Sequence, residues 1–239
     1  NLGYAAFYAV GAYTYAIFAS SQANYFIPGG GFPLSGNWFW LFLIIALVVS
    51  GFVGFLLGLP VLRLKGDYLA IVTLGFAEII RLLFNNLNKP VNITNGPMGI
   101  TPIQPPMLFG LTLDRPVHYY GVVLVLFVLT VVVVRNLQNS RIGRAWVAIR
   151  EDELVARTMG IPVVRMKLLS FTIGAGLAGM MGVVFAARQR FIDPTSFTFM
   201  ESIVILCMVI LGGSGNIKGV IIGAMAVVVL QLQILKDVS

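Results

Sequence analysis

The sequence is short of charge. Only 10% of its 239 residues are Asp, Glu, Lys or Arg, against about 25% in an ordinary soluble domain. It also holds 58% hydrophobic residues, with a mean hydropathy of +0.92. A soluble core of this size cannot hide that much apolar surface, and disorder needs the opposite composition. Both are excluded, which leaves an integral membrane protein. One histidine, His118, excludes a His-based metal cluster and a Ser-His-Asp triad. One cysteine, Cys207, excludes a disulfide framework within the chain and reads as a small buried apolar residue. No G-x-x-x-x-G-K-[ST] phosphate loop occurs, because the glycine-rich stretch 212–215 is not followed by Lys and then Ser or Thr. Paired acids are scarce, so a membrane enzyme is the least favoured class. The chain starts at Asn1 inside an apolar stretch, with no Met and no signal peptide, and is expected to be part of a longer protein.

What the sequence does hold is long apolar runs. They lie at 2–20, 38–60, 68–84, 119–134, 168–187, 201–213 and 219–235. A helix rises about 1.5 Å per residue and needs about 20 residues to cross the hydrocarbon. The expected fold is all-α: a polytopic transmembrane helical bundle of about seven spans, in one transmembrane domain over 1–239. The last two runs are interrupted by glycines at 212–215, which allows two spans or one span and a broken or re-entrant helix.

The net charge of +7 and pI near 9.8 would suggest nucleic acid in a soluble chain, but here they follow from the positive-inside rule. With loop 61–67 inside, alternation puts 135–167 and 214–218 inside as well. These loops hold Arg63, Lys65, Arg135, Arg141, Arg144, Arg150, Arg157, Arg165, Lys167 and Lys218. The outer loops hold only Lys89, Arg115, Arg188 and Arg190, while Lys236 is an exception on the outer side. Trp38 and Trp40 open the second span, as interfacial aromatics do. Gly54/Gly58, Gly219/Gly223, Ala175/Gly179 and Ala178/Gly182 are small-residue pairs that let helices approach closely.

Residues 135–167 change character, with seven basic residues and the acids Glu151, Asp152 and Glu153. Arg141 to Met159 reads as one or two amphipathic helices. Trp146, Ile149, Leu154, Val155 and Met159 are the apolar positions, Glu153 and Arg157 form an i,i+4 pair, and Gly160 and Pro162 mark a stop. The segment can be a solvated connector, a helix lying on anionic lipid, or a docking helix for a cytosolic partner. In the third span Glu78 and Arg81 lie roughly 15 and 20 Å from the inner end at about 1.5 Å per residue. Ionisable groups at that depth pair with each other or line a pathway. Glu201 opens the sixth run as an interface residue or a partner for Arg188 or Arg190.

Several long stretches resemble the permease subunits of branched-chain amino acid ABC transporters of the LivM type. They are Leu62 to Phe76, Thr94 to Ile100, the loop Gly143-Arg144-Ala145-Trp146 to Glu153, Lys167 onward, Phe185 to Gln189, Ser196 to Ser202 and Leu211-Gly212-Gly213. The Gly- and Ala-rich start, Asn1 to Tyr13, is similar as well, so the resemblance covers nearly the whole chain in order. It implies a non-catalytic, multi-pass subunit of the bacterial inner membrane. Its partners would be a sister permease, two cytosolic ATPase subunits and a periplasmic binding protein. It would import leucine, isoleucine and valine. ATP and Mg would bind the ATPases, and this chain would hold no cofactor. The loop 136–166 would be the cytoplasmic coupling element, with Arg141, Arg144, Trp146, Arg150, Glu151, Asp152, Glu153 and Arg157 seating it on an ATPase. A branched aliphatic zwitterion needs an apolar passage with few polar contacts, so Tyr4, Phe7, Tyr8, Glu78, Arg81, Thr94 and Asn95 are the candidate pathway residues. An ion-gradient-driven secondary transporter using Glu78, a permease for urea or short amides, and a scaffold without a passage are the competing readings.

Overall fold

The apolar runs fold as helices in the computed structural model, which describes residues 3–25, 27, 31–61, 67–89, 91–108, 110–213 and 215–234. Arg63, Lys65 and Lys236, and residues 62–66 of the long signature, lie outside the described residues. The helices are α1 (Tyr4–Phe18), α2 (Phe39–Val61), α3 (Asp67–Asn86), α4 (Pro116–Gln138), α5 (Arg141–Glu151), α6 (Glu153–Thr158), α7 (Val163–Gln189), α8 (Phe199–Gly212) and α9 (Ile217–Ile234). Among the described residues, four stretches are long and apolar enough to cross a membrane: Gly36–Val61, Pro116–Gln138, Val163–Gln189 and Pro194–Gly212. Of the about seven spans expected, four are therefore met on length and apolarity among the described residues; α1 is only 15 residues long, and Ile217–Gln233 is a shorter apolar helix.

Local chemistry sets the ends. Pro116 stands at the first position of α4, where its missing N–H is no loss. The Ser140 hydroxyl accepts from the Gly143 N–H at 3.3 Å and starts α5. The Asp152 carboxylate accepts from the N–H groups of Leu154 (2.7 Å) and Val155 (3.1 Å) and starts α6. Gly160, at φ +81°, then turns the chain into α7. A two-residue hairpin, β1 (Met107–Leu108) with β2 (Leu111–Thr112), pairs Met107 with Thr112 and Leu108 with Leu111. No alternating apolar pattern announces it.

The core is a three-helix packing of α1, α2 and α7. Small residues make it possible. A side chain on Gly11 would run into the backbone of Gly179, and one on Gly179 into Ser50. The Ser50 hydroxyl donates to the Phe7 carbonyl at 3.2 Å, tying α2 to α1. Gly54 leaves room for Ala175, and Phe7 meets Phe171 edge-on at 6.5 Å. In a bilayer the hydrophobic effect does not drive helices together, so this contact and dispersion carry the association. α8 and α9 form a separate antiparallel hairpin in which Gly219 and Gly223 lie against Gly212 and Met208. α8 ends at Gly212 and α9 starts at Ile217.

The loops gather at two opposite ends. At one, Ile100 and Ile192 form an isolated antiparallel bridge. There the Gln104 N–H donates to Ala19 (2.9 Å) and the Ile103 N–H to Arg190 (3.1 Å). The hydroxyls of Tyr15 and Tyr119 donate to the carbonyls of Gln104 (2.7 Å) and Ala187 (2.9 Å), the Trp40 indole donates to Met107 (3.0 Å), and Arg190 pairs with Asp114. At the other end stand α5 and α6, with Arg150 beside Gly215. Cys207 is exposed rather than buried, because α8 packs chiefly on α9 and leaves most of its surface outward.

Candidate functional site

A wide recess lies between α1, the end of α7 and the start of α8. Its volume is about 500 Å³, and it is lined by Tyr4, Ala5, Tyr8, Phe185, Gln189, Ser196, Phe197, Glu201 and Ile205. α1 and α7 run parallel here. The Ala5 N–H, which has no acceptor within its own first turn, donates to the Ser202 hydroxyl at 3.0 Å and fixes α8 against α1. Tyr8 packs on Phe185 (5.4 Å between ring centres) and on Phe197 (5.9 Å), so three aromatics form one wall. Gln189, Ser196 and Glu201 supply the polar edge.

The structure places the expected pathway residues in three different settings. Tyr4 and Tyr8 face the recess. Phe7 points the other way and is 3% exposed, packed with Ala175 and Phe171 between the core helices. Thr94 and Asn95 form a self-contained turn at the end of α3. The fully buried Thr94 hydroxyl donates to the Phe84 carbonyl at 2.6 Å. Asn95, in the left-handed region at φ 60°, takes its N–H to the Asn92 side chain (2.8 Å) and donates from Nδ2 to the Gly99 carbonyl (2.8 Å). Glu78 and Arg81 bind each other, with Arg81 Nε 3.0 and 3.1 Å from the two carboxylate oxygens, and both are partly exposed. Neither lines the recess.

The inner-end loop is built from two faces. Trp146 is on the inner one, half-buried, with its indole N–H donated to the Met166 carbonyl at 2.7 Å. Glu153 is held by Arg157 (3.1 Å) and Lys167 (2.6 Å), which staples α6 to α7. Asp152 is spent on capping. The outward face carries Val147, Leu154 (73% exposed), Val155 and Met159 (75% exposed). Arg141, Arg144, Arg150 and Glu151 are exposed around it, and Arg150 touches Glu151 at 3.3 Å. The resemblance implies that Trp146 seats the loop on a partner. The hydrogen bond to Met166 turns it inward, and the exposed aliphatic side chains of α6 take the outward position.

Gln189, Phe185, Ser196, Phe197, Glu201 and Ile205 were not expected to line a cavity. The available signal was Gln189, Ser196, Glu201 and Ser202 standing in or beside otherwise apolar runs.

A bundle of apolar helices, four of them long enough to cross a membrane, with a capped basic loop at one end and a polar cap at the other, defines a multi-pass membrane protein. The chain belongs to the permease family of branched-chain amino acid transport systems. The profile of that family, described as the branched-chain amino acid transport system permease component, matches residues 1–236. The chain is 45% identical over 95% of its length to the high-affinity branched-chain amino acid transport system permease protein LivM of Salmonella typhimurium, and 44% identical to that of Escherichia coli. At 30% identity over 80% of its length it resembles a probable LivM protein of Methanocaldococcus jannaschii. Autoinducer 2 import permeases named LsrC are more distant, at 27%. The chain spans about half the length of the curated relatives it matches: 55% for the two high-affinity LivM proteins. No solved structure matches it.

Proposed function

We propose that this chain is the membrane-spanning part of a permease that imports branched-chain amino acids, driven by ATP hydrolysis on partner subunits. The observation that carries the reading is 45% identity over 95% of the chain to a LivM permease. The recess of aromatic and aliphatic side chains is the right kind of surface for leucine, isoleucine or valine. In this reading α1, α3 and α9 also cross the inner membrane, as the alternation of basic and less basic loops along the sequence requires. The partners are a sister permease, two cytosolic ATPases that hold ATP and Mg, and a periplasmic binding protein. This chain catalyses nothing itself.

The loop 136–166 is the coupling element. The apolar side chains of Val147, Leu154, Val155 and Met159 fill a groove on an ATPase, and Arg141, Arg144, Arg150 and Glu151 fix the register. Arg157, Glu153 and Trp146 act from behind, as the bonds that hold this face rigid on α7. Closure of the ATPase pair then pushes α7, and through the α1–α7 contact changes the shape of the recess. Access switches without any covalent step in this subunit.

The test is purification of the chain with its partners and reconstitution in vesicles. Leucine and the binding protein together should raise ATP hydrolysis and drive leucine inward. A chain that purifies without any ATPase and moves solute on an ion gradient would overturn the reading.

A further inference from the structure

Two further recesses meet at the basic end. One, of about 330 Å³, lies between α4 and α9, and its wall includes Phe127, Val131, Val134, Ile217, Val220 and Ile221. The other, of about 370 Å³, lies against α5 and includes Trp146, Val147 and Arg150. Gln138 and Gly215 line both, so the two form one groove. Along α4 its wall runs from Phe127 to Gln138, eleven positions in the sequence. At about 1.5 Å per residue this is about 16 Å, close to half of a hydrocarbon core about 30 Å thick. The groove therefore has the depth of one leaflet.

Its chemistry changes along that depth. The deep part is mostly aliphatic, and the mouth carries the Gln138 amide, the Trp146 ring and the Arg150 guanidinium. Trp146 gives its indole N–H to Met166 and offers the groove its ring, as aromatic residues do at headgroup level. A side chain on Gly215 would run into Arg150 Nη1, so the guanidinium lies over the connection between α8 and α9. Its Nη2 is 3.3 Å from Glu151, but both side chains are exposed, and water leaves such a pair little net attraction. Arg135, Arg141, Arg144 and Lys218 stand exposed at the same end. An anion at the mouth therefore meets a positive surface.

We infer that this groove holds a glycerophospholipid of the inner leaflet with an anionic headgroup. One acyl chain lies between α4 and α9, and Arg150 and the Gln138 amide donate to the headgroup phosphate. Charge decides the occupant. An aliphatic slot alone would suit any apolar helix, but a slot of one leaflet's depth that opens on a guanidinium suits an anionic amphiphile. A free phosphate would leave the slot bare, and a partner's helix would leave Arg150 without an anion. The contact adds to the place of Arg150 in the coupling loop and fastens α5 to the leaflet that α4 and α9 cross. The inference rests on the basic end facing the inner side of the membrane, and not on the solute carried.

The experiment uses the assembled complex in phosphatidylcholine vesicles. Two photoactivatable lipids, each with a diazirine on one acyl chain, are added in parallel: a phosphatidylglycerol and a phosphatidylcholine. Illumination should label peptides covering residues 127–138 or 217–221 about fivefold more with the phosphatidylglycerol. Arg150→Gln should remove most of that preference. Lys89→Gln, which removes one positive charge at the opposite end, should keep it. Equal labelling by the two lipids, a preference unchanged in Arg150→Gln, or no labelling of these peptides because another helix covers the groove, each overturns the site. If Arg150→Gln fails to assemble, competition in the unaltered complex decides. Excess unlabelled phosphatidylglycerol should then clear the label from these peptides and phosphatidylcholine should not; equal clearance overturns the site. Leucine uptake is measured separately in the same vesicles, so failure of the lipid site and failure of the import reading are distinct results.

Discussion

The indole N–H of Trp146 donates to the main-chain carbonyl of Met166 across 2.7 Å and twenty residues of sequence. Met166 lies in the first turn of α7, so the bond fastens the inner-end loop to a helix of the core. A Trp in a basic, amphipathic loop reads naturally as an anchor for a partner. The geometry makes it a bracket within the chain. Trp146→Phe should keep most of the packing and lose the hydrogen bond, at about 0.5–1.5 kcal/mol. Trp146→Ala should lose both and expose the loop. Limited proteolysis between 135 and 167 separates the two, with cleavage markedly faster in the alanine variant only. Equal cleavage of all three proteins would remove the bracket role.

Replacement of the outward side chains should act differently. Leu154→Glu and Met159→Glu touch nothing that holds the loop, since both side chains are largely exposed. Stability should therefore change by no more than about 0.5 kcal/mol. Co-purification of ATPase subunits should fall sharply, because a carboxylate would be buried in the interface. Normal retention of ATPases with both variants would mean that this face docks nothing.

The close packing of α2 on α7 gives a paired test. Gly179→Ala places a methyl group against the Ser50 side chain and the Ala46 carbonyl. Backbone cannot step aside cheaply, and overpacking should cost about 1–3 kcal/mol. Gly174→Ala, five residues earlier on the same helix, meets nothing within 4 Å. It should be neutral or stabilising by about 0.5–1 kcal/mol through helix propensity. Thermal unfolding in detergent reads both.

Much of this was legible in the sequence. The apolar runs, the helices from Arg141 to Met159 with their stop at Gly160, and the positive end follow from composition and period, because each depends on neighbours within a turn or two. The recess was not legible. It needs Tyr8, Gln189 and Glu201 to meet, and these come from three helices brought together by contacts such as Ala5 with Ser202, 197 residues apart. The Thr94–Asn95 motif was conspicuous for another reason. Its residue types serve a left-handed turn and a cap on Phe84, so a distinctive sequence marked a piece of backbone engineering and not an open passage.

Asp193 gives a pH dependence at the polar cap. Burial alone would raise its carboxyl, but hydrogen bonds from the side chains of Ser196 and Thr195 and from the Ser196 N–H outweigh this and hold it below the ordinary value of 3.8. A lowered folded-state value means that the unfolded chain takes up the proton first. The stabilisation is therefore complete above the unfolded value near 4 and is lost as the pH falls through the folded one. Asp193→Asn should flatten the stability profile below about pH 4 and leave it unchanged in shape at neutral pH. An unaltered acid limb would show that another group carries it.

Glu78 and Arg81 decide between a structural pair and a pathway. They satisfy each other on α3, with Arg81 Nε 3.0 Å from one carboxylate oxygen of Glu78, and neither reaches the recess. A pair of this kind is worth little in itself, but removing one member leaves a charge without its partner at membrane depth. That should cost about 2.5–3.5 kcal/mol on insertion scales. Glu78→Gln or Arg81→Met alone should therefore lower the amount of folded protein. The double replacement, Glu78→Leu with Arg81→Leu, should restore it, because no charge is stranded. Leucine uptake per folded molecule should then match the parent. A double variant that folds well and still fails to transport would return both residues to the pathway, and with them the ion-coupled mechanism that a deep carboxylate in the third span suggests.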